Sequence, residues 1–96
     1  MSKKIRTPEV DELFSAIASL NTVEECYKFF GDVCTANEVL SVAQRYQVAR
    51  LLEEKCTYQE IAEKSGASTA TISRVKRSMD DGNDGYRMTF DRLNKK

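Results

Sequence analysis

The stretch TYQEIAEKSGASTATISRVKR, residues 57–77, decides the fold of this chain. It predicts two short helices joined by a tight turn. Thr57, with Glu60 three residues later, is a capping box that starts the first helix. Gly66 stands where that helix should end in a left-handed residue, a conformation that a Cβ atom opposes. Ser68 then caps the second helix.

The second helix has an apolar face and a polar face. Ile72, Val75 and Met79 recur at helical spacing and form the apolar face. The opposite face carries small, polar and basic side chains: Thr69, Ala70, Ser73, Arg74 and Arg77. Such side chains suit a surface that approaches a DNA groove closely and forms hydrogen bonds there.

The spacing within this stretch is that of a helix-turn-helix. Small Ala62 falls where the two helices cross, and Gly66 follows four residues later. Branched Ile72 and Val75 are placed to seat the second helix on the first. The alternative is an ordinary helical hairpin, in which the same residues serve packing alone.

Length and charge indicate one small domain over residues 1–96 with an uneven charge distribution. A chain of 96 residues buries only about two-thirds of its unfolded surface, so its own core is modest. Net charge is zero, but residues 40–79 carry seven Lys or Arg against four Asp or Glu. DNA phosphates would experience this local excess.

The residue types present argue against an enzyme and against a metal site. The chain has three cysteines, Cys26, Cys34 and Cys56, and no histidine. Zinc sites need about four closely spaced ligands, and a cysteine nucleophile usually needs a histidine base. We therefore expect no metal and no resident cofactor, and three reduced, buried cysteines. No signal peptide or transmembrane run is recognisable, so we expect a cytoplasmic protein without a membrane partner.

Threonine caps and apolar periodicity predict four more helices. Thr7-Pro8 starts the first, and Thr22 with Glu25 and Thr35 with Glu38 are capping boxes for the next two. The four helices are predicted over residues 8–20, 23–34, 36–55 and 86–93. Residues 1–7 and 94–96 are expected to be flexible.

The longest predicted helix is apolar around much of its circumference. Nine apolar residues lie between Val39 and Leu52, which is too many for a single stripe. Few other elements in so short a chain remain to bury them. A second copy of the chain is the natural partner, so the pattern predicts a homodimer with an extensive interface.

The stretch from Leu51-Leu52 to Arg74 resembles the Trp repressor family, with the pattern Gly-Ala-x-x-Ala-Thr-Ile-x-Arg at 66–74. Over residues 8–90 the chain is closer still to the small bacterial YerC/YecD-type branch of that family. Marks of that branch are Glu25-Cys26-Tyr27, Phe29-Phe30, Gln44-Arg45 and Gly85-Tyr86. The resemblance implies an all-α fold of about six helices, an intertwined homodimer, and operator-specific regulation of transcription, usually repression.

The predicted DNA-binding set contains eight residues: Gln59, Ser68, Thr69, Ala70, Ser73, Arg74, Lys76 and Arg77. Thr69, Ala70 and Ser73 are assigned to base edges. The remaining polar and basic members are assigned mainly to phosphates. Arg74 has two further interpretations, a contact to an effector or a surface ion pair.

The resemblance also implies an effector pocket beside the motif, formed by Gln44, Arg45, Thr71, Arg74 and Val75. In the Trp repressor, arginines from the long helix and the recognition helix contact tryptophan. Arg74 matches the second, and the first falls on Gln44 or Arg45. Val75 replaces a glycine that lets the indole approach, which argues against tryptophan as corepressor. A different or smaller ligand, or none, remains open.

Two classes of function compete. The first is a dimeric regulator that binds double-stranded DNA. The second is a helical protein-interaction module that keeps the motif geometry without reading DNA, and the zero net charge favours it. The salt dependence of binding separates the two, because phosphate neutralisation gives a steep slope.

Overall fold

The computed structural model describes residues 4–94, which form six α-helices and no strand. The helices are α1 Pro8–Ala18, α2 Val23–Val33, α3 Ala36–Glu53, α4 Tyr58–Ser65, α5 Thr69–Asp81 and α6 Gly85–Asn94. The all-α prediction is confirmed, and no helix end differs from its predicted position by more than two residues. The flexibility expected at the two termini falls partly on residues 1–3 and 95–96, which lie outside the described residues.

The threonine caps of α1 and α2 form where the sequence places them. The backbone N–H of Val10 donates to Thr7 Oγ1 at 3.1 Å, and that of Glu25 donates to Thr22 Oγ1 at 3.0 Å. The Glu25 carboxylate accepts from the N–H of Asn21 at 2.8 Å. One of the two hydrogen bonds of this predicted capping box is present, from the Glu25 N–H to Thr22. The Glu25 carboxylate bonds the N–H of Asn21, the residue before the cap, instead of that of Thr22.

The chain forms two compact units, Met1–Ala36 and Asn37–Lys96. In the first unit none of residues 4–36 is buried. The apolar side chains of α1 and α2 are instead exposed or half-buried, with Tyr27 at 73% of its full accessible area. Whether the two units make one domain, as the sequence predicts, stays a prediction.

The second unit has its own hydrophobic core, built from α3, α4, α5 and α6. Its buried members are Val48, Ala49, Leu51, Ile61, Ala67, Ile72, Val75, Met79 and Phe90. Tyr46 and Tyr86 pack against this core, each with its ring near that of Phe90. The Tyr46 hydroxyl shares a 2.9 Å hydrogen bond with Thr89 Oγ1, which ties α3 to α6.

The two halves of α3 lie in different environments. Val48, Ala49 and Leu51, in its C-terminal half, are buried in the core of the second unit. Leu40 and Val42, in its N-terminal half, are exposed. The N-terminal half of the helix is therefore apolar on a part of its surface that residues 4–94 leave exposed.

The sequence predicted three buried cysteines, but none of the three is fully buried. All three are free thiols, but Cys26 is exposed, and Cys34 and Cys56 are half-buried. The burial prediction is wrong for Cys26 because it lies on α2, a helix with no buried residue. Among residues 4–94 no helix is both long and apolar enough to cross a membrane.

Candidate nucleic-acid interface

A complete capping box starts α4. The backbone N–H of Glu60 donates to Thr57 Oγ1 at 3.1 Å, and the N–H of Thr57 donates to Glu60 Oε1 at 2.8 Å. The hydrogen bond from the Thr57 backbone lowers the pKa of Glu60 below its ordinary value. Two N–H groups that a helix start leaves without partners are thereby satisfied.

The turn between α4 and α5 depends on Gly66 and Ser65. Gly66 has φ +73° and ψ +6°, the left-handed conformation predicted from the sequence. Its N–H donates to the carbonyl of Ala62 at 2.9 Å. Ser65 Oγ donates to the carbonyl of Ile61 at 2.6 Å and accepts from the N–H of Ala67 at 3.1 Å. The helix-turn-helix thus closes through local hydrogen bonds.

Ser68 caps α5, and one side of that helix is buried. The N–H of Thr71 donates to Ser68 Oγ at 3.1 Å. Ile72, Val75 and Met79 belong to the core of the second unit. Their burial leaves the opposite side of α5 facing outward, because residues at helical spacing share one face.

The predicted base-reading residues all lie on the outward side of α5. Thr69, Ala70 and Ser73 are exposed, as are Arg74 and Arg77. Among residues 4–94 the ion pairs formed are Arg50 with Glu54 and Lys76 with Asp80. The interpretation of Arg74 as a surface arginine held by an acid therefore has no support in this chain.

Lys76 is the member of the predicted set that already has a partner. Its Nζ lies 2.9 Å from Asp80 Oδ2, with both side chains half exposed. The hydrogen bond to Asp80 raises the pKa of Lys76 above its ordinary value. A phosphate contact by Lys76 would compete with Asp80, so Lys76 is weaker as a candidate than Arg77.

The two remaining members of the predicted set, Gln59 and Ser68, lie outside the outward side of α5. Gln59 is exposed in the first turn of α4, and Ser68 is exposed at the start of α5. Ser68 is already engaged through its cap with Thr71. All eight predicted DNA-binding residues thus belong to α4, α5 or the turn between them.

The predicted effector residues do not all face an open space. Val75, at the position where the resemblance expects a glycine, is 1% exposed and belongs to the core. Thr71 is half-buried and its Oγ1 lies 3.1 Å from Ser68 Oγ. Arg45 is half-buried on α3. Gln44 points its amide at the end of α4 and donates to the carbonyl of Ser65 at 3.1 Å.

Sequence reasoning missed the neighbour of Gln44 on α3. Gln47 Nε2 lies 3.5 Å from the carbonyl of Lys64, so two α3 amides face the last turn of α4. Two glutamines three residues apart on one helix were a visible signal, because that spacing places them on one face. No group of three or more His, Cys, Asp or Glu in residues 4–94 is arranged to hold a metal ion.

The family model described as Trp repressor protein matches residues 8–94. The chain belongs to the Trp repressor family. It is 57% identical over 90 residues to the protein YerC of Bacillus subtilis (strain 168), a match that covers 94% of this chain and 86% of YerC. The family resemblance inferred from the sequence is confirmed.

Two solved structures are similar over nearly the whole chain. A TrpR-like protein from Eubacterium eligens ATCC 27750 is 59% identical, with a TM-score of 0.89 and coverage of 92% of this chain and 91% of that one. A Staphylococcus aureus protein described provisionally as a Trp repressor is 56% identical, with a TM-score of 0.90 and coverage of 93% and 89%. The Trp repressor family is a family of DNA-binding regulators and not an enzyme family.

Proposed function

We propose that this protein is a homodimeric, sequence-specific transcriptional regulator, a repressor that binds an inverted-repeat operator in the cytoplasm. The outward side of α5 carries this proposal. That side is polar, basic and free of large apolar side chains, while the opposite side is buried in the core at Ile72, Val75 and Met79. A recognition helix needs this combination, because its exposed side must enter a groove without the helix itself moving.

The side chains on α5 assign different contacts to different residues. Ala70 and Ser73 are short, so the helix backbone can approach the base edges closely. The Ala70 methyl suits a thymine methyl, and the hydroxyls of Thr69 and Ser73 suit donors or acceptors in the major groove. Arg77 is longer and carries no ion pair in residues 4–94, so it suits a phosphate.

Exposed apolar side chains support the homodimer. Phe14 on α1, Val23 and Tyr27 on α2, and Leu40 and Val42 on α3 are all exposed in the single chain. Several large exposed apolar side chains in so short a chain are typical of a protein–protein interface. A second copy would cover the same surface on both chains by a two-fold axis, as most homodimers do.

A two-fold dimer would present two copies of α5 to one face of DNA. Half-sites one turn of B-DNA apart lie about 34 Å from each other, and dimers with this motif bind half-sites at that spacing. The operator we propose is therefore an inverted repeat. Its symmetry follows from that of the dimer.

Binding curves at several salt concentrations test the proposal. We expect tight binding to a selected duplex, weaker binding to random duplexes, and a logarithmic affinity that falls steeply with the logarithm of salt concentration. A protein-interaction module would bind its partner with little salt dependence and would not distinguish the two duplexes. That second function is favoured only by the zero net charge of the whole chain.

The effector, if the protein has one, is not tryptophan in this proposal. Val75 is buried at the position where an indole would need space. A smaller ligand near Arg45 and Arg74, or regulation without a ligand, is compatible with that packing.

A further inference from the structure

The last turn of α4 is held by a side chain from a different helix. Gln44 on α3 donates from its amide to the carbonyl of Ser65 at 3.1 Å, across 21 positions of sequence. Ser65 is the last residue of α4, so no later turn of that helix supplies a donor for its carbonyl. A Cβ atom on Gly66 would lie 3.9 Å from the same Gln44 nitrogen, which places this amide directly beside the turn.

Two N–H groups of the turn are satisfied locally. The N–H of Gly66 and the N–H of Ala67 are bonded within residues 61–67. The contact between Gln44 and Ser65 is the shorter of the two hydrogen bonds that connect the end of α4 to α3. Gln47 reaches the carbonyl of Lys64 only at 3.5 Å, the long limit of a hydrogen bond, so it contributes less.

We propose that Gln44 is a positioning residue that sets the direction of the recognition helix relative to α3. The apolar packing of Ile61 and Ala67 in the shared core is non-directional and tolerates small rotations. A hydrogen bond to one carbonyl is directional and restricts them. Gln44 thereby fixes the end of α4, and with it the line along which α5 leaves the turn.

This role rests on the proposed function, because direction matters only if α5 reads DNA. In the proposed dimer, the exposed N-terminal half of α3 lies in the interface. Holding α5 to α3 then sets the distance between the two recognition helices. The hydrogen bond from Gln44 to Ser65 forms within the chain, so it requires no small molecule.

The test compares Gln44→Met with the matched control Gln47→Met. Methionine is unbranched and of similar length, but it donates no hydrogen bond. Each variant is refolded from denaturant so that no carried-over ligand contributes. For Gln44→Met we expect the ratio of specific to random DNA binding to fall about tenfold, the effect of losing one well-formed hydrogen bond. Random binding and its salt slope should not change, and Gln47→Met should lower the ratio less than about twofold.

Amide hydrogen exchange supplies a readout that does not depend on DNA. In Gln44→Met the N–H groups of Gly66 and Ala67 should exchange faster, while exchange at Val48 and Ala49 in α3 should be unchanged. Unchanged binding ratio and unchanged exchange would overturn the proposal. A lower ratio with unchanged exchange would also overturn it, since Gln44 would then act on DNA directly.

Two further outcomes are informative. Equal loss of specific and random binding, together with a lower melting temperature, would mean a general folding role and would overturn the proposal. If the wild-type protein itself does not distinguish the two duplexes, the proposed function fails. Exchange at Gly66 and Ala67 then decides alone whether Gln44 holds the turn.

Discussion

The two compact units of this chain differ in where their apolar side chains lie. Helices α4, α5 and α6, together with the C-terminal half of α3, bury nine residues in a shared core. Helices α1 and α2 bury none. Isolated helices of eleven residues are marginal in water, because most helical stability comes from packing an apolar face. The exposed apolar side chains of α1 and α2 therefore support the proposed dimer.

Under the proposed function, this contrast assigns DNA binding and dimer formation to different parts of the chain. The helix-turn-helix closes through its own caps and core, so its shape does not require a partner chain. In the proposed dimer, the exposed faces of α1, α2 and the first half of α3 would contact the second copy of the chain. Substitutions in the two units should then have effects of different kinds.

The largest expected effect is on assembly. Tyr27→Ser removes an aromatic ring that is exposed in the single chain but covered in the proposed dimer. We expect a loss of about 2–4 kcal/mol in the free energy of dimer unfolding, because a buried aromatic is truncated. The neighbouring control Lys28→Ser should change it by less than about 0.5 kcal/mol. Chemical denaturation at several protein concentrations measures both.

Sedimentation of the unmodified protein tests directly whether the chain forms a dimer. A dimer at micromolar concentration and a melting temperature that rises with concentration are expected. A stable folded monomer, or equal effects of the two serine substitutions, would mean that α1 and α2 are folded without a partner.

The next largest effect is at the turn of the helix-turn-helix. Gly66→Val forces a β-branched residue to φ +73°, which should cost about 2 kcal/mol or more. The damage should fall on α4 and α5 more than on α1 and α2, as hydrogen exchange by region would reveal. Gly85→Ala is the control, because a Cβ there meets no atom within 4 Å. Similar melting of both variants would contradict the role given to Gly66.

A smaller and more selective effect is expected on the reading side. Ser73→Ala should weaken the preferred duplex by about 1 kcal/mol and relax one base position, without changing the salt slope. Arg77→Ala should weaken all duplexes alike and reduce the salt slope by about one counterion. Binding curves on specific and random duplexes distinguish these outcomes. Equal loss on both duplexes for both variants would show that α5 does not read bases.

The smallest expected effect is that of tryptophan. Because Val75 replaces the expected glycine and is buried, calorimetric titration with tryptophan should give no saturable heat in the micromolar range. Saturable binding in that range would mean that the space beside Val75 opens in solution.

Local chemistry explains why much of the fold could be predicted from the sequence. A threonine or serine cap acts on an N–H three residues away, and a left-handed turn needs a glycine at one position. Thr57, Gly66 and Ser68 therefore predicted the motif, and the apolar period predicted Ile72 and Val75 as core. The exposed side of α5, which is the proposed DNA-binding side, could then be predicted as the side opposite the buried residues.

Contacts between distant segments were not predictable in the same way. The hydrogen bond from Gln44 to Ser65 joins residues far apart in sequence, and no periodicity signals it. Burial was also misjudged where it depends on surface outside the chain, as for Cys26 on α2. Periodicity shows which side of a helix is apolar, but it does not show what covers that side.

Selection of bound sequences from a pool of random DNA duplexes tests the DNA-reading function most directly. We predict that the selected sequences share an inverted repeat whose half-sites are centred about one helical turn apart. Such a repeat requires two recognition helices related by two-fold symmetry, so it reports on the dimer and on α5 together. A pool that yields no shared sequence, or one without two-fold symmetry, would contradict this function and favour a protein-interaction module.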